Sequence, residues 1–196
     1  MRFSTVISGR YFCDLLAHGR EMDQVIDRGD SSLLQHSTPE LERWFDKPPA
    51  ELPRQSGFPL AFVLLFFLIA YACNWLTLMA LLPKQTPPVR AFLFFVPAIL
   101  FIVSNLTASY LIARGKTSGL VWYGGVHSVL AVLSAILLMV TLLKGETHHT
   151  VIMLASLLIM LACRSVFNDR GFILFVLYGR TQRIATLSRR MRLKSK

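Results

Sequence analysis

Three stretches of this chain, Phe58–Leu82, Ala91–Ala113 and Leu120–Leu143, run for more than twenty residues each without a formal charge. An α-helix rises about 1.5 Å per residue and the hydrocarbon core of a bilayer is about 30 Å thick, so about 20 apolar residues are enough to cross it. Each stretch is long enough with some tilt. Lipid offers no partner to backbone N–H and C=O groups, so a helix that satisfies its own backbone is the expected conformation. Arg54, Lys84, Arg90, Arg114, Lys116 and Lys144 flank the runs.

A fourth segment is interrupted. Thr150–Cys163 is apolar, Arg164 to Arg170 is polar and charged, and Gly171–Tyr178 is apolar again. One long span would bury Arg164, Asp169 and Arg170 at about 3 kcal/mol each, and eight apolar residues return only about 0.5 each. The span is therefore expected to end near Asn168, with Arg164 snorkelling to the headgroups and Gly171–Tyr178 at the interface or packed on protein. The expected fold is all-α: a four-helix transmembrane bundle over residues 58–170, with spans at about 58–82, 91–113, 120–143 and 150–168. A cytosolic region (1–57) precedes it, and an interfacial segment with a basic tail (171–196) comes after it.

The charge is distributed unevenly along the chain. Its 21 Lys and Arg outnumber 11 Asp and Glu, for a net charge of +10. Residues 1–57 hold nine of the acids, and only Glu146 and Asp169 lie beyond them. The basic residues adjoin apolar runs, so anionic lipid rather than nucleic acid is their expected partner. The tail from Arg180 to Lys196 has seven basic residues and no acid, which places it on the cytoplasmic side by the positive-inside rule. Four spans then put the N-terminus there too. There is no apolar run near Met1, so the first span is expected to act as an uncleaved anchor. With the Arg-rich composition, this points to a bacterial inner membrane.

In the N-terminal region, Tyr11, Phe12, Leu15 and Leu16 share a helical face that Met22, Val25 and Ile26 can continue. Ser37-Thr38-Pro39-Glu40 has the form of a helix start, with Ser37 as cap and Glu40 closing a capping box. Leu41, Trp44 and Phe45 form the apolar side of that helix, and Trp44 and Phe45 are the expected cytosolic contact for a partner. A Pro-rich linker, Lys47–Gly57, comes next. So few apolar groups cannot make a large core, so the region is expected to dock on the membrane part or on a partner. In the tail, Ile184, Leu187 and Met191 line one helical face, with Arg183, Arg189, Arg190 and Arg192 around them. That pattern is suited to an anionic leaflet, and these four arginines are the expected headgroup contacts.

Polar groups at membrane depth point to function. They are Asn74, Asn105, His127 and Arg164. The last three fall in the cytoplasmic half, where they can meet in one polar intramembrane pocket; the alternative is an interhelical hydrogen bond for Asn105 and for His127 and an interface anchor for Arg164. Gly124, Ser128, Ala131 and Ala135, spaced 4, 3 and 4, form a small-residue stripe for close helix packing, within the chain or against a partner. Asn105 and Ser109 begin a weaker stripe, and Pro97 removes one bond from the second span. The sequon Asn105-Leu106-Thr107 lies inside a span, out of reach of a glycosyltransferase. His148-His149 has no third ligand near in sequence, and Cys13, Cys73 and Cys163 are too dispersed for a disulfide or metal framework. No metal and no cofactor are expected.

Enzyme motifs are missing: there is no G-x-S-x-G, H-E-x-x-H, P-loop or G-x-G-x-x-G, and the spans carry no acid. The hydropathy plan is similar to that of several groups of bacterial inner-membrane proteins, including immunity proteins against pore-forming toxins, exclusion proteins and small accessory subunits, and singles out none of them. The leading expectation is a non-catalytic protein that binds another protein in or beside the bilayer. A small oligomeric transporter or channel for an anionic solute is the alternative, and a membrane enzyme acting on lipid comes third. Expected partners are anionic headgroups together with a protein or further copies of the chain.

Overall fold

The computed structural model describes residues 9–28, 31–47, 52, 56–82 and 86–194, and every regular element among them is helical. Two helices and a 3-10 turn come first: α1 (Arg10–Arg28), the turn Ser31–His36 and α2 (Pro39–Phe45). Five longer helices succeed them: α3 (Phe58–Leu81), α4 (Pro87–Ala113), α5 (Thr117–Lys144), α6 (Thr147–Phe167) and α7 (Arg170–Lys194). Helices α3 to α6 are long and apolar enough to cross a membrane. Pro48, Pro49 and Pro53 of the expected linker, and Lys84, lie outside the described residues.

The bundle is three helices and a satellite. α3, α5 and α6 pack on one another, while α4 rests mainly on α5 and scarcely meets α3. Only 11% of the apolar window of α4 is buried, against 28% in each of the other three. α5 carries the seam. Its buried residues Leu120, Tyr123, His127, Leu130, Ser134, Leu137 and Thr141 alternate three and four apart, the spacing of a coiled-coil core. Gly119 lets α4 come close, since a Cβ there would stand 2.5 Å from the carbonyl oxygen of Ala108. The α4–α5 turn pivots on Gly115, whose φ of 70° suits glycine.

The fourth span ends at Phe167, and Asn168 caps it. The chain beyond it differs from the expected interfacial segment plus separate tail helix: Arg170 to Lys194 is one continuous helix. Its first half packs on the bundle through buried Phe172 and Val176. Gly179 then passes against the carbonyl oxygens of Ile112 and Ala113, where α4 ends.

The described residues 9–28 and 31–47, before the first candidate span, form a cap on this end of the bundle. Phe12 of α1 is fully buried, stacked on Phe167 at 4.5 Å and near Phe172 at 6.4 Å. Its backbone N–H donates to Asn168 Oδ1 at 3.4 Å, and Asn168 Nδ2 donates to the Arg164 carbonyl at 2.7 Å. Phe67, Tyr123 and His127 extend the ring cluster into the spans. Tyr11, placed on the same face by sequence, instead points outward, 62% exposed.

The second half of α7 does not turn an apolar face to a leaflet. Ile184, Leu187 and Met191 pack on Met22, Leu33, Val25 and Ile26 of the cap. Around this contact Arg183 pairs with Asp23 at 2.5 Å, Arg192 with Glu42 at 3.0 Å, and Arg189 with Asp46. Arg180 is buried and donates to the Leu15 carbonyl at 2.8 Å. Burial pulls its guanidinium below the ordinary value, and Asp23 partly offsets this. Helix α2 starts one residue later than the sequence pattern placed it. Thr38, not Ser37, is the cap, accepting from Leu41 N–H at 3.3 Å, while the Ser37 hydroxyl is buried without a partner.

Truncating a buried phenylalanine leaves a cavity and costs about 3–5 kcal/mol, whereas surface changes stay within about 0.5. Phe12→Ala is expected to lower the unfolding midpoint in mild detergent sharply and to expose the N-terminal region to protease, while Tyr11→Ala leaves both near wild type.

Candidate functional site

The three residues expected to share a polar pocket are separate. Asn105 is fully buried on α4, where its Nδ2 donates to the Phe101 carbonyl of its own helix at 2.8 Å and its Oδ1 has no partner. His127 is buried on α5, with Nε2 3.0 Å from the Met160 carbonyl of α6. A carbonyl only accepts, so Nε2 carries the proton and Nδ1 is left without a partner. Arg164 sits at the surface of α6, in a shallow hollow with Arg10, Tyr11 and Asn168. Two of the three are sealed from solvent, so they do not form a cavity open at the cap end.

Other expected contacts are taken up within the chain. Phe45 stacks edge-on against Tyr178 at 5.5 Å and against Trp44 at 4.8 Å, so both rings are half-buried between cap and α7. Of the four arginines expected at headgroups, Arg183, Arg189 and Arg192 hold the cap, and Arg190 is exposed. In the small-residue stripe, Gly124 makes room for the Phe12 ring, 3.1 Å from where a Cβ would stand. Ser128 and Ala131 are half-buried and Ala135 faces outward. The stripe thus borders the seam of α5 rather than forming it.

The polar groups that do meet are Asn74 of α3, Ser134 of α5 and Ser156 of α6. Asn74 Nδ2 lies 2.8 Å from Ser134 Oγ and 3.3 Å from Ser156 Oγ, and the two hydroxyls are 2.8 Å apart. All three are buried, so one network joins the three core helices. Ser109 of α4 and Tyr123 of α5 form a further pair at 2.5 Å. Asn74 stands out in the sequence, but its serine partners do not, because serine is common in spans. Their sign is phase: Ser134 falls on the His127–Leu130–Leu137 face.

Where α4 stands off from α3, a groove of about 590 Å³ opens between α3, α4 and α5. Tyr71, Trp75, Phe101, Trp122, Gly125 and Val129 are among its lining residues. Tyr71 stacks on Phe101 at 4.4 Å and near Trp75 at 5.9 Å, forming an aromatic wall. The Tyr71 hydroxyl and Trp75 Nε1 are both buried without a hydrogen-bond partner. At Gly125 a Cβ would meet nothing within 4 Å. Along α5 the lining runs from Ser118 to Leu133. That is about 22 Å of helix, most of the thickness of a hydrocarbon core.

No family model, curated protein or solved structure matches this chain.

Interhelical hydrogen bonds in membranes couple by about 0.6 kcal/mol on average and about 1.7 at most. A double-mutant cycle of Asn74→Ala with Ser134→Ala is expected to give a coupling in that range by equilibrium unfolding in bicelles, and additive effects would show that the network does not hold the helices.

Proposed function

We propose that this chain is a non-catalytic integral membrane protein that works by binding a second membrane protein through the groove between α3, α4 and α5. The groove is the observation that carries this reading. It lies between three of the four candidate spans, it is almost wholly apolar, and its length along α5 accommodates about four side chains from successive turns of one partner helix. Gly125 at its middle lets a partner backbone come close, as small residues do between helices in lipid.

The distribution of polar groups supports binding over chemistry or transport. Asn74, Ser134, Ser156, Ser109, Tyr123 and His127 are engaged between helices, and Asn105 with its own backbone. None of them lines a polar path together with Arg164. In this reading both ends face the cytoplasm of a bacterial inner membrane, with the basic end of the bundle inside. An immunity protein that occupies a toxin's membrane segment, or an accessory subunit of a membrane complex, would each act this way.

Tagged wild-type chain drawn from native membranes in mild detergent is expected to bring one stoichiometric protein with it. Gly125→Leu, which fills the groove, is expected to cut that recovery at least tenfold without lowering the unfolding midpoint. Leu143→Phe, at an 83% exposed position on the far end of α5, should leave recovery intact. A chain that emerges alone, or a partner retained by Gly125→Leu, sinks this reading.

A further inference from the structure

A second hollow, of about 480 Å³, lies at the other side of α4, between its last turn and α7. Tyr110, Ala113 and Arg114 form one wall, and Gln182, Arg183, Thr186 and Arg190 of α7 form the other. Gly179 and Leu187 complete it, so three guanidinium groups and no carboxylate line this space. Arg183 is partly neutralised by Asp23, which approaches from the cap at 2.5 Å, and it also donates to the Gly115 carbonyl at 3.3 Å. Arg114 packs over the Tyr110 ring, 5.2 Å from its centroid. Arg190 is exposed and faces no acid among the hollow's lining residues. Among the described residues no carboxylate pairs with Arg114 or Arg190, and the Thr186 hydroxyl and Gln182 amide stand beside them.

The end of α4 does not cancel that charge. Three of its last four carbonyls are hydrogen-bonded: Tyr110 accepts from Arg114 N–H at 3.0 Å, Leu111 from Lys116 N–H at 2.9 Å, and Ile112 from Gly115 N–H at 2.9 Å. The position of the hollow selects the anion. It sits where α4, a candidate span, ends, and the outward face of α4 continues from Tyr110 to Leu106, Val103 and Ile99, all more than half exposed. A molecule placing phosphate among the arginines would lay its hydrocarbon chains along that apolar strip. We infer that this hollow is a binding site for the phosphate headgroup of an anionic phospholipid, held by Arg114, Arg190 and Arg183. The assignment rests on the four helices being membrane-inserted, and it is independent of any protein partner in the groove.

Each basic side chain near an anionic headgroup contributes about 1 kcal/mol, so losing two corresponds to about a thirtyfold loss of affinity. Full-length protein would be titrated in detergent with phosphatidylglycerol, with phosphatidylcholine and with inorganic phosphate, and bound lipid counted by native mass spectrometry. Phosphatidylglycerol is expected to bind in preference to phosphatidylcholine and to resist millimolar phosphate. Arg114→Gln with Arg190→Gln is expected to weaken it about thirtyfold. Lys194→Gln, which removes an exposed charge further along α7, should change it less than threefold. Unfolding midpoints equal to wild type establish that the double variant is folded, and Arg190→Gln alone, at an exposed site, repeats the test with about a fivefold loss. Equal binding of both lipids, displacement by free phosphate, or equal losses in Lys194→Gln and the double variant would each overturn the assignment.

Discussion

Four helices apolar enough to cross a membrane would find no hydrophobic reason to associate in lipid, so such a bundle depends on what passes between the helices. Here that is the buried network of Asn74, Ser134 and Ser156, which joins α3, α5 and α6 at one level. His127 ties α5 to α6 a second time, through the Met160 carbonyl. Among the described residues no side-chain hydrogen bond links α3 to α4. α4 is held to α5 by the Ser109–Tyr123 pair and by the close approach at Gly119. The open seam between α3 and α4 results from that arrangement, and the seam is the groove. One distribution of polar side chains therefore accounts both for the three-helix core and for the groove left open between α3 and α4.

At one end the bundle is closed by its own N-terminal region. Phe12 fills the space between Phe167, Phe172 and Gly124, where an isolated bundle would leave a hole among rings. The acid-rich cap then meets the acid-free half of α7. The ion pairs at this contact are 22–48% exposed where Arg183 and Arg189 form them, so they add specificity more than stability, and the apolar contact of Met22, Leu33 and Ile184 carries the packing. Arg180 of α7 is buried against α1, donating to the Leu15 carbonyl while its Nε and Nη2 have no hydrogen-bond partner, so its desolvation offsets part of what the apolar contact contributes.

The spans were legible because uncharged length in a chain admits few structures, and the end near Asn168 came from the cost of burying Arg164, Asp169 and Arg170. The docking of α1 and α2 was legible as a need to be covered, but not as a place. Periodicity marks an apolar face without saying what covers it. That is why Ile184, Leu187 and Met191 pointed to a leaflet when they meet the cap, and why Trp44 and Phe45 pointed to a partner when Phe45 meets Tyr178 and Trp44 packs on Phe45. Asn105, His127 and Arg164 share a depth by residue count, but depth fixes height and not azimuth. The groove had no sign in the sequence, because it arises from the splay of two helices that are adjacent in the chain.

The central claim is that recognition happens within the bilayer, at the α3–α4–α5 groove. A photo-crosslinking residue placed at Val129, in the groove and 66% exposed, tests it most directly when compared with one at Leu154 on the outer face of α6, 51% exposed. Irradiated native membranes are predicted to yield one discrete protein adduct from Val129 and only lipid adducts from Leu154. Lipid adducts alone from Val129, or the same protein from both positions, would contradict the account.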